Sequence, residues 1–147
     1  MFSGVFQHSI DAKGRTSLPA PFREVLSAQG ADRLFITPDL RDPCLFAFAP
    51  ADWRKLAEKV ASLSLFDPAT RLLSRGFIAP AQECGVDKLG RVLIPGSLRE
   101  ILGPVEEITW AGNTQRIEIW APKKWAEVQK AARAQDAALL QRISEFL

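Results

Sequence analysis

Two related stretches of this sequence decide its fold. The first is HSIDAKGRTSLPAPFRE at residues 8–24, and the second is GVDKLGRVLIPGSLRE at residues 85–100. Each contains the pattern D-x-x-G-R, followed by a proline and then by an R-E pair. Further along, LFAFAPADW at residues 45–53 aligns with IEIWAPKKW at residues 117–125. Two similar units therefore make up most of the chain, as expected of an internal duplication.

The pattern within one unit predicts short strands joined by a tight turn. Residues 4–10 and 15–18 are expected to form two strands. The D-x-x-G segment between them is typical of a turn, because Asp binds backbone amides and Gly tolerates positive φ. Pro19 ends the second strand, since proline cannot donate to a central ladder. The remaining expected strands cover residues 33–39, 44–50, 106–112 and 116–122.

Helical periodicity appears between and after these strands. Residues 50–63 place Trp53 and Val60 on one apolar face, and residues 67–77 begin with an Asp cap. Short helical turns are expected at 21–26 and 97–102. One long helix is predicted over residues 123–147. Its apolar stripe near the end consists of Leu139, Ile143 and Phe146.

Composition excludes several classes of protein. The chain has 147 residues, a formal net charge of +2 and two cysteines, Cys44 and Cys84, with no C-x-x-C. A disulfide framework and a zinc site are therefore not expected, and His8, the single histidine, has no ligand-type neighbours. The sequence has no G-x-S-x-G, H-E-x-x-H, P-loop or G-x-G-x-x-G pattern, so neither an enzyme nor a cofactor is predicted. No signal peptide or membrane span is apparent, which favours a cytoplasmic protein.

A single D-x-x-G-R would be typical of a plain β-turn with an exposed arginine. A turn needs Asp and Gly, but it does not need Arg at the next position. Nor does it need the same proline and R-E segment to follow. The recurrence of all these features in two copies favours a shared function.

With both motifs and the IEIWAPKKW segment, nearly the whole chain resembles the MraZ family of bacterial regulators. Each half resembles a SpoVT/AbrB-like swapped-hairpin domain. The resemblance implies an α+β fold, mainly β: a pseudo-twofold swapped-hairpin (AbrB-like) β-barrel from two internal repeats, with peripheral helices. The expected division is 1–54 for the first repeat, 55–80 for a helical connection packed on the barrel, 81–126 for the second repeat and 127–147 for a C-terminal helix.

The same resemblance implies a sequence-specific DNA-binding transcriptional regulator. Such a protein would bind direct repeats upstream of its own division and cell-wall operon, assemble into a ring-shaped homo-oligomer and act in the cytoplasm at the nucleoid. Arginine can fork to guanine or clamp a phosphate, and lysine adds a compact charge. The expected DNA-binding residues are Lys13, Arg15, Lys88 and Arg91. The expected turn-forming residues are Asp11, Gly14, Asp87 and Gly90.

Some roles have alternatives. The lysine is displaced by one residue in the second turn, so the two copies match more closely at the arginines than at the lysines. Arg23 and Arg99 are expected to form salt bridges on short helices, or to make secondary phosphate contacts. The C-terminal stripe is expected either to pack within the chain or to contact a neighbouring subunit. The whole chain has an alternative too, a protein-interaction module of antitoxin-like or scaffold type, which would not depend on Arg15 and Arg91 for DNA affinity.

Overall fold

The computed structural model describes residues 1–134 and 136–147. Its strands are β1 (Val5–Ser9), β2 (Arg15–Ser17), β3 (Arg33–Pro38), β4 (Leu45–Phe48), β5 (Gln82–Gly85), β6 (Arg91–Leu93), β7 (Glu107–Asn113) and β8 (Arg116–Trp120). Its α-helices are α1 (Ala20–Ala28), α2 (Pro50–Ala61), α3 (Pro68–Leu73), α4 (Gly96–Leu102), α5 (Pro122–Arg133) and α6 (Ala137–Phe146). A π-helical segment, Ser74–Ile78, follows α3 directly. The predicted α+β class is confirmed.

The two halves of the chain exchange strands. The larger sheet has six antiparallel strands in the order β1-β7-β8-β4-β3-β5, so the first strand of each half pairs with a strand of the other half. Strands β2 and β6 form a separate antiparallel ladder. Exchanging the halves maps this order onto itself, with the pseudo-twofold axis between β4 and β8. The duplication in the sequence is therefore a symmetry of the fold.

The sheet is open, which differs from the expected closed barrel. Within the described residues, β1 and β5 are the two edges of the six-stranded sheet. Single backbone bridges, Ile10 with Thr16 and Val86 with Val92, connect it to the β2–β6 ladder. The ladder itself is short, because β2 and β6 each end two residues before a proline, Pro19 or Pro95, which cannot donate to a ladder.

The main core lies between the six-stranded sheet and the helices that follow the ladder. Phe22 of α1 is fully buried and meets the rings of Phe2 and Phe6 edge-to-face, at centroid distances of 5.5 and 5.4 Å. Such edge-to-face pairs are favoured by the quadrupoles of the two rings. On the other side of the pseudo-twofold, Leu98 and Leu102 of α4 are buried in the same core. Each strand of the ladder is thus followed by a short amphipathic helix that packs its apolar face into this core.

A second cluster fixes α2 on the sheet. Trp53 is buried and stacks on Phe35 of β3 with a centroid distance of 5.7 Å and an interplanar angle of 8°. It also meets Phe77 of the π-helical segment at 5.8 Å. In the second half, Trp125 of α5 contacts Trp120 at 6.0 Å. Both helix tryptophans therefore pack against the sheet, as the sequence suggested.

The predicted single C-terminal helix is wrong. α5 ends at Arg133, where Ala134 has an extended backbone with ψ of 100°, and α6 begins only at Ala137. Gln135, within the predicted helix, lies outside the described residues. The break follows from Asp136, whose carboxylate accepts hydrogen bonds from the amides of Ala138 and Leu139 and so starts a new helix. None of the helices in the described chain is long and apolar enough to cross a membrane.

The strand exchange predicts that neither half folds alone. If the chain is divided into residues 1–80 and 81–147, β1, β2, β5 and β6 all lose their only ladder partners. Isolated hairpins are marginal in water, so we expect each fragment to unfold without a cooperative transition. An equimolar mixture should regain the β-sheet signal in circular dichroism. A cooperative thermal transition in either fragment alone would contradict this expectation.

Candidate nucleic-acid interface

The two D-x-x-G-R turns have the same backbone geometry. In the first, the amide of Gly14 donates to the carbonyl of Asp11 at 3.0 Å, and the amide of Asp11 donates to the carbonyl of Arg15 at 3.0 Å. In the second turn, the equivalent bonds are 2.9 Å from the Gly90 amide to the Asp87 carbonyl and 3.0 Å from the Asp87 amide to the Arg91 carbonyl. The motif therefore dictates the local structure twice.

The aspartate of each turn holds the backbone and the arginine at once. Asp11 Oδ1 accepts the amides of Lys13 and Arg15, both at 3.0 Å, and its Oδ2 accepts Arg15 Nε at 2.8 Å. Asp87 repeats this arrangement with the amide and the Nε of Arg91, the latter at 3.1 Å. Within the described chain, the Nη atoms of both arginines have no protein partner. Each guanidinium is thus fixed at one edge and available at the other.

The same hydrogen bonds keep the two carboxylates ionised. The backbone amide of Arg15, followed by its side chain, lowers the pKa of Asp11 to about 2. The amide of Arg91 is the largest cause of the lowered pKa of Asp87. Hydrogen bonds to the charged form favour that form. Both turns are therefore in the same ionised state throughout the neutral range.

The ladder brings the two arginines onto one face. Arg15 lies opposite Leu93, and Arg91 lies opposite Ser17, so Arg15 and Arg91 are diagonal neighbours. Diagonal neighbours in an antiparallel ladder are roughly 7–8 Å apart. Thr16 and Val92 face inward, whereas both arginine side chains are about half exposed, at 52% and 49%. Both arginines line a single surface cavity of about 340 Å³.

The lysines do not match between the turns. The amide of Lys13 donates to Asp11, and in the second turn Leu89 makes that bond to Asp87 at 2.9 Å. Leu89 thus occupies the place of Lys13, whereas Lys88 occupies the place of Ala12. Lys13, Lys88 and Leu89 are all exposed, Leu89 at 69%. The two turns therefore present different chemistry at the same position.

Two further arginines contact these turns, although the sequence predicted another role for them. Arg99 of α4 donates through Nη1 to the carbonyl of Ala12 in the opposite turn at 2.9 Å, and through Nε to the carbonyl of Ile94 at 2.9 Å. The guanidinium of Arg23 of α1 lies over Gly90 in the other turn. The expected salt bridges of Arg23 and Arg99 are absent among the described residues. The repeated R-E pair indicated that these arginines matter. It did not show that each arginine contacts the turn of the other half.

Glycine is required where these arginines and the opposite strand approach the turns. Gly14 has φ of +95° and Gly90 has φ of +80°. A Cβ on Gly14 would collide with the carbonyl oxygen of Ile94 and with the Arg99 side chain. The three atoms nearest to a Cβ on Gly90 all belong to the Arg23 side chain, which can move. The first turn is therefore the less tolerant of the two.

Neither cysteine contributes to the interface. Cys44 and Cys84 are both buried and free. Burial raises the pKa of both thiols, and that of Cys84 reaches about 11. Both thiols therefore remain protonated and behave as small core residues. Among the described residues, no group of three or more His, Cys, Asp or Glu side chains could hold a metal ion.

Comparison with known proteins shows the class and the family. The family described as "MraZ protein, putative antitoxin-like" matches residues 1–76 and, a second time, residues 77–144. Similar proteins named "Transcriptional regulator MraZ" occur in Desulforamulus reducens, 39% identical over the whole of both chains, and in Caldanaerobacter subterraneus subsp. tengcongensis, 36% identical over 99% of both. That of Acetivibrio thermocellus is 42% identical over 85% of this chain and 84% of its own. The relatives are thus regulators by name, and the chain belongs to the MraZ family.

The glycine geometry predicts a graded loss of stability. Gly30 also has a positive φ, +68°, but a Cβ there would meet nothing within 4 Å. We expect Gly30→Ala to cost about 1 kcal/mol from backbone strain alone. Gly90→Ala should cost more, and Gly14→Ala most, above about 2 kcal/mol, because a backbone oxygen must move. Urea denaturation measures all three, and equal losses at Gly14 and Gly30 would contradict the close approach described here.

Proposed function

We propose that this chain is a sequence-specific DNA-binding transcriptional regulator and that the exposed face of the β2–β6 ladder, with its two turns, contacts the DNA. One observation carries the proposal: two arginines lie diagonally on one face, each held by an aspartate at Nε and free at Nη. The proposed DNA-binding residues remain Lys13, Arg15, Lys88 and Arg91. The names of the relatives support regulation as the activity.

The fixed guanidinium suits base reading. Free Nη groups can donate together to O6 and N7 of guanine, the commonest specific contact in the major groove. Because Asp11 and Asp87 already orient the arginines, less side-chain entropy is lost on binding. Each aspartate also repels a phosphate that approaches the same turn. We therefore assign base contacts to the arginines and phosphate contacts to the lysines, which project without a carboxylate partner among the described residues.

The difference between the turns suggests that they read different bases. Leu89 offers an apolar surface where the first turn offers Lys13. Apolar side chains contact the methyl group of thymine, whereas lysine contacts phosphate or guanine. A ladder with two unlike turns would recognise an asymmetric site, and copies of such a site can follow one another head to tail as direct repeats. We propose direct repeats upstream of the chain's own operon as the target, and the cytoplasm at the nucleoid as the location.

We also propose that each half is a swapped hairpin of the SpoVT/AbrB-like type. The pairing of β1 with β7 and of β5 with β3 supports this, because each half lends a strand to the other. The main-chain bonds from Leu18 to the Gly90 carbonyl and from Ile94 to the Gly14 carbonyl, both 2.8 Å, lock the turns to the opposite half. Both reading turns would then move as one rigid unit.

Removing both arginines should abolish specific binding. In fluorescence anisotropy with the DNA upstream of the chain's own gene, we expect Arg15→Ala/Arg91→Ala to weaken binding by more than about tenfold, since each bidentate contact contributes about 1–3 kcal/mol. If the arginines read bases, affinity for scrambled DNA should change little. If they contact phosphates, the slope of log K against log salt should flatten by about 2.

The matched control is Arg41→Ala/Arg71→Ala, which removes the same charge from two exposed arginines that do not line the cavity. Circular dichroism establishes that both variants are folded. Wild-type affinity in the folded Arg15→Ala/Arg91→Ala variant would refute the DNA-reading role of the turns. The alternative function, an interaction module, would then be favoured, in keeping with the words "antitoxin-like" in the family's description.

We propose that the chain assembles into a ring-shaped homo-oligomer through α6. Leu139, Ile143 and Phe146 of this helix are 54%, 49% and 80% exposed, and no residue of α6 is buried. An apolar helix face of this kind is typical of a contact with another chain. A ring that presents several ladders to spaced repeats would gain affinity through effective concentration without new contacts.

Disrupting the apolar face of α6 tests this assembly. Leu139→Ser/Ile143→Ser should lower the mass measured by light scattering, whereas Gln141→Ser on the same helix should not. The smaller species should lose much more affinity for DNA with several repeats than for DNA with one repeat, because only the former gains from multivalency. Equal losses on both DNAs would show that avidity plays no part.

A further inference from the structure

A second cavity lies away from the DNA-reading face. It has a volume of about 440 Å³, within the range of small-molecule sites. Its apolar wall is formed by α2, β4, the end of α3 and the π-helical segment, through Phe46, Phe48, Leu56, Leu73 and Phe77. Its rim carries three cationic side chains, Lys55, Lys59 and Arg116, and one acidic one, Asp52. The site is thus apolar inside and positively charged at its mouth.

Three local departures from regular structure border this cavity. Phe77 lies in the π-helical segment, a form that is rare and often found at functional sites. Thr114 is the one non-glycine residue with positive φ in the described chain, at +61°, and it lies on the rim. Such strain clusters where function requires a fixed geometry. The third is the unpaired Nε atom of Arg116, two residues after Thr114.

Arg116 is held beside the cavity with unused hydrogen-bonding capacity. Its guanidinium carbon lies 4.7 Å from the centroid of the Phe46 ring, and its Nη2 lies 3.7 Å from Glu118 Oε2. Its Nε is buried, and within the described chain it has no hydrogen-bond partner. Because Nε itself is closed to the cavity, an anionic ligand would meet the rest of the Arg116 side chain, which is 40% exposed.

The second half of the chain does not repeat this chemistry. At the positions matched by the duplication, Glu118 replaces Phe46, Glu127 replaces Lys55 and Ala131 replaces Lys59. The apolar wall and basic rim are therefore not requirements of the shared fold. The apolar wall, Lys55 and Lys59 come from the first half, and Arg116 of the second half completes the rim.

We propose that this cavity binds a small amphipathic anion, with an aryl or acyl body against the phenylalanine wall and a carboxylate, sulfonate or phosphate at Lys55, Lys59 and Arg116. The volume admits one such molecule, and the excess of positive charge at the mouth favours a negatively charged ligand. A neutral apolar molecule would make no use of these three positive charges. The proposal does not depend on DNA binding.

The test uses a pair of fluorescent probes that differ in one charged group. We expect 1-anilinonaphthalene-8-sulfonate to bind the full-length protein at least tenfold more tightly than its uncharged analogue, N-phenyl-1-naphthylamine. Lys55→Gln/Lys59→Gln should remove most of that preference and leave the affinity of the neutral probe unchanged. Competition with decanoate and with 1-naphthoate then distinguishes an acyl from an aryl ligand.

The control variant is Lys123→Gln/Lys130→Gln, which removes two exposed lysines from α5, the matching helix of the second half. Equal affinities for the two probes, or equal losses in both lysine variants, would overturn the proposal. So would a change in oligomer mass in Lys55→Gln/Lys59→Gln, because the cavity would then be a contact between copies.

Discussion

The backbone hydrogen bonds that pair strands of one half with strands of the other are the interaction on which the rest of the structure depends. The ladder has only three residue pairs, Arg15 with Leu93, Thr16 with Val92 and Ser17 with Arg91. Every one of them joins one half to the other. A strand pair this short is marginal by itself, and it is stable only because β1 and β5 are also paired across the halves. The spacing of the two turns is therefore set by the whole fold.

The aspartate–arginine pair of each turn orients the arginine side chain more than it stabilises the fold. Both partners are about half exposed, and exposed ion pairs contribute little to the free energy of unfolding. Each ion pair fixes the orientation of the guanidinium, because a guanidinium bound at Nε can offer only its Nη atoms to a ligand. Arg99 strengthens the arrangement from the opposite half by binding the Ala12 carbonyl. A site built on two linked halves is more rigid than one built on a free loop.

The sequence predicted what local chemistry determines. The duplication, both turns, most strands and the helix tryptophans followed from residue type and spacing. Contacts across the halves did not, since nothing local to Arg99 shows that its partner is Ala12, 87 residues away. The C-terminal break was missed because the alanine-rich segment has high helix propensity, which one capping side chain, Asp136, overrides. The open sheet was missed because family resemblance carries a topology and not the hydrogen bonds that close it.

A duplicated fold separates what each half must keep from what it can change. The aspartate and glycine of the turn recur because the exchanged ladder needs the same backbone at both ends. The arginine, which the turn itself does not require, recurs with them as the side-chain partner of the aspartate. Residues outside that requirement have diverged: Leu89 replaces Lys13 in the turn, and Glu118 replaces Phe46 in the strands beside the pseudo-twofold axis. Phe46 and Glu118 are themselves cross-strand partners in the β4–β8 pair. The tips of the turns and the seam between the halves are thus two places where the halves differ. A molecule bound against Phe46 and Arg116 would touch both sides of that seam, which is one of the strand pairs that join the two halves.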